Sequence, residues 1–368
     1  MKPFVLFFYI FTLCALTQPL ALAEIKIIEA ETTYVIGDNE SKVEARRTAV
    51  LEAKRKALET AGTYVSSLSQ VQEYKLTKDE ATAYTAGVVE TEIDSEEMRG
   101  TTDHPEIYIK ARCKIDTDIL TQQIDNYRQN EELRKQLEAS ARESMTLRNQ
   151  LDELRTQLRA ERDKNKIEDT RKRMNDVLGH QESIDDTNRA WIRLLKGLDV
   201  YALGEASLDV DRLDTEISAL RRAIKVNPRN IRARILLASI YHRQNKGIAA
   251  ERELRDAIKY EPDNPFLHMQ LGDVLRSFKR YRDALAEFRI MEERRPNEPH
   301  MLFLTGMTHK ANGDCRIATS YLKRFMAASR GNDRPPFPSL RHKAVQVLKE
   351  CNDHARRNRL RSPGTVSY

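Results

Sequence analysis

The chain has 368 residues, 32 % of them charged, and a formal net charge of +6. That length suffices for two or three domains. After the N-terminus no stretch approaches the ~20 apolar residues of a spanning helix, which excludes a multi-pass helical membrane protein. Charge is unevenly placed: residues 24–186 hold 26 Lys and Arg against 35 Asp and Glu, and residues 187–368 hold 35 against 21. An acidic front thus precedes a basic back, whose partners are acidic protein segments or anionic headgroups unless the charge is simply solvated.

The first element is a leader. Lys2 precedes an apolar run from Phe4 to about Leu16, and Ala21-Leu22-Ala23 closes it before Glu24. This pattern predicts a secretory signal peptide over 1–23, cleaved after Ala23, and a periplasmic mature chain. Nucleic acid is then not an expected partner. Leu13 before Cys14 lacks the small side chain that lipid attachment wants. Three cysteines remain, Cys113, Cys315 and Cys351, an odd number that suggests one pair and one buried thiol.

Residues 24–117 read as a small α/β domain. Ile25, Ile27 and Tyr34 to Ile36 predict a strand, and Gly37-Asp38-Asn39 breaks it. A helix follows from Glu40 to Ala61, with Ala45, Ala49, Val50, Ala53, Ala57 and Ala61 along one side and Gly62 as its expected cap. Thr77 and Glu80 form a capping box that opens a shorter helix ending near Gly87. Val88 to Ile93 predicts a second strand. Ile107, Ile109, Ala111, Cys113 and Ile115 alternate with polar residues and predict a third, with Cys113 as an inert core thiol.

The run Ala45-Arg46-Arg47-Thr48-Ala49-Val50-Leu51-Glu52-Ala53-Lys54-Arg55-Lys56-Ala57, then Ala61-Gly62-Thr63-Tyr64-Val65-Ser66-Ser67 and Thr85-Ala86-Gly87-Val88-Val89, carries a resemblance. It is similar to the small exported domain family that includes the N-terminal domain of the flagellar H-ring protein FlgT and the LPP-type outer-membrane lipoproteins. The resemblance covers about 90 residues. It implies a βααββ unit, a Gram-negative cell envelope with peripheral attachment, and no catalytic residues.

Residues 118–178 hold no Pro and no Gly and predict one long helix. Leu133, Leu137, Leu147, Leu151, Leu154 and Leu158 share the a and d positions of one heptad frame. That seam is expected to oligomerise the chain as a coiled coil; the alternative is a helix folded on the front domain or the array. Residues 179–187 read as a linker.

The rest is periodic. A 34-residue step relates Pro228, Pro262 and Pro296; Gly204, Ala238, Gly272 and Gly306; Leu203, Leu237 and Leu271; Ala250, Ala284 and Ala318; and Leu220, Leu254, Phe288 and Leu322. This pattern resembles tetratricopeptide repeats, about four of them over 188–330, each a helical pair that meets at its small residues. After Gly331 to Pro336, a helix with Leu340, Ala344, Val347, Leu348 and Cys351 on one face is expected to cap the array over 331–358. A basic tail fills 359–368. Cys315 and Cys351 fall at ends that antiparallel packing joins, and a disulfide between them is expected.

By analogy with such repeats, groove positions of the first helices are Arg232, Ile235, Ser239 and His242, then Phe266, Met269, Asp273 and Arg276, then His300, Phe303, Met307 and Lys310. They form the expected partner-binding set, basic with apolar anchors, suited to an acidic segment. The repeat clamp for C-terminal carboxylates is absent, because its Lys and Asn positions fall on Ile235 and Ser239.

No nucleotide-binding, hydrolase or zinc motif occurs, so no catalytic residue, metal or cofactor is expected. His268 reads as a packed core histidine, and Asp209, Asp211 and Asp214 read as a solvated turn. The expected fold class is multidomain α+β: a small α/β domain, a long coiled-coil helix, and an all-α solenoid with its cap. The expected function is an exported, homo-oligomeric scaffold that binds an envelope protein. The alternative is a ring or collar component of an envelope machine whose copies pack on each other.

Overall fold

The computed structural model describes residues 25–71, 76–116, 124, 131–197, 213–333 and 337–361. The expected signal peptide, the tail beyond Arg361, and Leu203 and Gly204 lie outside them.

The front domain runs β1 (Ile25–Val35), α1 (Lys42–Val71), α2 (Lys78–Val88), β2 (Glu90–Gly100) and β3 (Pro105–Asp116). The three strands are antiparallel in the order β1-β3-β2. The βααββ order matches the expectation. Ala45, Ala49, Ala53, Ala57 and Ala61 are fully buried, and this stripe lets α1 lie close on the sheet against Ile107, Ile109, Ala111, Cys113 and Ile115. Cys113 is a buried free thiol, and burial raises its pKa.

Two details differ from the sequence reading. Ile25 and Ile27 are exposed, and the inward side of β1 is Ile28, Ala30, Thr32 and Tyr34. The strand alternates, but its apolar residues change parity at Ile27-Ile28. Gly62 does not end α1, which continues to Val71. A Cβ at Gly62 would stand 3.7 Å from Thr85 Oγ1, an ordinary contact with α2.

Of the expected single helix over 118–178, residues 118–123 and 125–130 lie outside the described residues, and from Glu131 on it is a hairpin, α3 (Glu131–Ala160) and α4 (Lys164–Gly197). Neither Gly nor Pro makes the break. Asp163 does, because its Oδ1 accepts the N–H groups of Asn165 (2.8 Å) and Lys166 (3.3 Å) and starts a new helix. Leu151, Leu154 and Leu158 pack on Met174 and Leu178 of α4, Leu147 is also buried, and Leu137 joins the front-domain core. The Leu133 side chain lies outside the described residues. A seam that the heptad spacing offers to a second chain is covered by α4 and α1 of the same chain.

The expected linker 179–187 is also helical, as part of α4. Its first half takes the front domain. Glu44 accepts from Arg171 Nε (3.0 Å) and Asn175 Nδ2 (2.7 Å), and Arg47 pairs with Glu182 at 2.7 Å. Burial pushes the Glu44 carboxyl up, but hydrogen bonds from Ser41, Arg171 and Asn175 outweigh it and hold its pKa below the ordinary value. From the α3 side, Arg155 pairs with Glu52 at 2.8 Å and lies over the Tyr34 ring. The second half of α4 takes the array: Ser183 Oγ donates to the carbonyl of Ala223 at 3.0 Å, and Ala190 enters the repeat core. One helix therefore belongs to both halves of the molecule.

The array is α5 (Asp214–Val226), α6 (Ile231–Arg243), α7 (Gly247–Tyr260), α8 (Pro265–Ser277), α9 (Tyr281–Arg294), α10 (Pro299–Ala311), α11 (Cys315–Ala328) and α12 (Phe337–Arg361). Asn230, Asn264 and Glu298, 34 apart, cap α6, α8 and α10 with their side chains. Asn245, Lys279 and Gly313, again 34 apart, turn each pair through positive φ. A Cβ at Gly272 would collide with the Phe288 ring, and one at Gly306 would meet Leu322 at 2.8 Å. Those glycines set how closely the paired helices approach. In the first unit, the end of α4 packs beside α5.

Candidate protein-binding surface

The predicted groove positions divide by depth. Arg232, Ile235, Met269 and Phe303 are all buried at 9 % exposure or less. Ile235, Met269 and Phe303 belong to the core, and Phe303 stacks obliquely on Phe325 at 5.3 Å. That row is part of the repeat core and does not open to a groove. Ser239, His242, Phe266, Asp273, Arg276, His300, Met307 and Lys310 are half-buried.

The charges of this set are largely paired within the chain. Arg276 bonds Asp273 at 2.7 Å, and Lys310 bonds Glu350 of α12 at 2.8 Å. His242 Nε2 lies 2.6 Å from Ser277 Oγ, and burial lowers its pKa. An imidazole lowered in this way is neutral at pH 7. The basic groove read from the sequence is therefore weaker than its count of cations: each paired cation has an internal carboxylate that an incoming one must displace.

The sequence reading missed a second recurrent device. Arg234 Nε donates to the carbonyl of Pro228 at 3.0 Å, and Nη1 donates to Glu253 at 2.9 Å. One repeat later, His268 bonds the carbonyl of Pro262 at 3.0 Å and Glu287 at 2.7 Å. In these two units a buried basic residue on the first helix holds the preceding turn and the second helix together. His268 is the packed histidine expected of it. The signal was present as rows at the 34-residue step: Pro228 and Pro262, Arg234 and His268, Glu253 and Glu287.

Cys315, at the start of α11, is joined to Cys351 in α12, with the Cα atoms 5.3 Å apart. Leu340, Ala344 and Val347 of α12 enter the same core as the repeats. A recess of 530 Å³ lies at the turn between α6 and α7, lined by Ile248, Phe278, Arg280 and their neighbours. Among the described residues, no group of three or more His, Cys, Asp or Glu is placed to hold a metal ion. Also among them, no helix is long and apolar enough to cross a membrane.

Comparison with known proteins places the periodicity in a family context. A tetratricopeptide-repeat model matches residues 249–299. No curated protein matches the sequence. Among solved structures, a crystal structure of MamA is 14 % identical over 40 % of this chain and 91 % of its own, with a TM-score of 0.31. "MamA MSR-1 C2" is 18 % identical over 50 % and 96 %, with a TM-score of 0.33. "MamA AMB-1 C2221" is 19 % identical over 43 % and 89 %, with a TM-score of 0.32. Likeness at that level carries no functional assignment. What the chain shares with known proteins is a tetratricopeptide-repeat region, a type of scaffold for protein–protein contact.

Proposed function

We propose that this protein is an exported scaffold of the cell envelope, and that copies of the chain pack on one another through front and array. The carrying observation is the shared helix α4, which fixes an acidic front domain and a basic array in one body. Charge supports contact between copies, with 26 basic against 35 acidic residues over 24–186 and 35 against 21 over 187–368. The internal pairing of Arg276 and Lys310 favours this reading over capture of an acidic segment by those two residues. The leucine seam plays no part in it. In this reading α12 caps the array, and the front domain, by its resemblance, makes the peripheral envelope attachment. Export rests on the leader over 1–23.

Light scattering on the chain from Glu24 tests the self-packing. The expected result is large assemblies at about 20 mM salt that dissociate above about 0.5 M, where the screening length falls to a few ångströms. One small species of fixed mass at both salts contradicts it and favours the adaptor reading, in which another protein is bound.

A further inference from the structure

Arg232 stands at the second position of α6, 8 % exposed. Its Nη1 donates to Asn188 Oδ1 at 2.5 Å. Asn188 in turn donates to the carbonyl of Ala86 in the front domain at 2.9 Å. The other two guanidinium positions, Nε and Nη2, are buried without a hydrogen-bond partner among the described residues. So is Nε1 of Trp191, whose ring centroid lies 5.4 Å from the guanidinium carbon. Buried donors are ordinarily satisfied, and three unsatisfied ones in adjacent side chains call for an acceptor.

The geometry of the fork sets the chemistry of that acceptor. Nε and Nη2 share one edge of the planar guanidinium, the edge that meets both oxygens of a carboxylate in parallel. We propose that Arg232, flanked by Trp191, is a binding site for a protein carboxylate, seated two-pronged on Nε and Nη2. The site rests on the scaffold reading and names the chemistry that the array grips. Burial alone pulls the guanidinium pKa down to about 9, with no carboxylate among the described residues close enough to offset it. The donors are covered, so a carboxylate enters only as α4 and α6 part locally at Trp191. The indole changes surroundings as it does. This site is not the repeat clamp for C-terminal carboxylates, whose two key positions are Ile235 and Ser239 here.

Trp191 is the only tryptophan, so its fluorescence reports the event directly. The chain from Glu24 is titrated with acetylated, amidated hexaglutamate, with tetra-alanine bearing a free C-terminus, and with acetylated, amidated hexaglutamine. The expected result is a saturable spectral shift with hexaglutamate and none with hexaglutamine. Affinity falls at least tenfold in Arg232→Gln and recovers in part in Arg232→Lys, which restores charge without the fork. A shift with tetra-alanine alone keeps the site and makes its ligand a chain terminus. No shift with either carboxylate, an equal shift with hexaglutamine, or a shift unchanged in Arg232→Gln overturns the site. The first two of these outcomes need no variant to fold. Light scattering on the same samples separates the two proposals. A lost peptide shift with salt-sensitive assembly intact removes the site alone, and the converse removes self-packing alone.

Discussion

Replacing Glu253 by alanine is expected to destabilise the array by about 3 kcal/mol, the lower end of the cost when a buried ion pair loses one member. Arg234 is 7 % exposed, and its Nη1 lies 2.9 Å from Glu253. Without that carboxylate the guanidinium keeps the carbonyl of Pro228 but stays charged in a dry setting. Asp256, at 3.7 Å, recovers part of the loss, which is why the lower end applies. Lys259→Ala is the control. Its contact with Asp256 is shorter, 2.6 Å, but the side chain is 74 % exposed. An exposed pair of that kind is worth well under about 1 kcal/mol. Urea midpoints for the two variants check the ranking, and equal shifts would mean that the staple between paired helices is not what holds a repeat together.

The second large effect is redox-dependent. Opening Cys315–Cys351 is expected to cost about 3–4 kcal/mol, because the bond closes 36 residues of the unfolded chain. The effect is expected to be local: α12 shares a core with Leu322 and Phe325 of the last pair, which are fully buried. Urea midpoints with and without reductant measure it. Thiol counting on the unreduced, denatured chain from Glu24 gives a second reading. One reactive thiol, Cys113, is expected, and three would remove the disulfide from the account.

The array was legible because each unit repeats the same steric solution. Gly272 against Phe288 and Gly306 against Leu322 are pairs of a missing and a large side chain, and such pairs leave a period in the sequence. Depth was not legible. Ile235, Met269 and Phe303 follow the period of a groove row, but spacing along a helix does not tell whether the neighbouring unit closes over it. The hairpin was illegible for a different reason. Asp163 breaks the helix with one side-chain cap in an otherwise helix-favouring run, and a leucine seam does not state which chain fills it. Gly179 reads as the start of a linker, yet an isolated glycine weakens a helix by only about 1 kcal/mol relative to Ala. Packing of α4 on both the front domain and α5 outweighs that cost. For the candidate site, Arg232 is marked by its place in the repeat. Its partners Asn188 and Trp191 come from the helix that a sequence reading divides at a linker.

That helix is the centre of the account, and hydrogen exchange across residues 176–192 tests it most directly. If α4 runs unbroken from the front domain into the first repeat, these amides exchange slowly and together, with the same protection on both sides of Gly179. Fast exchange confined to 179–187, between protected flanks, would make that stretch a linker. The front domain and the array would then be separate bodies, and Asn188 would no longer join Arg232 to Ala86.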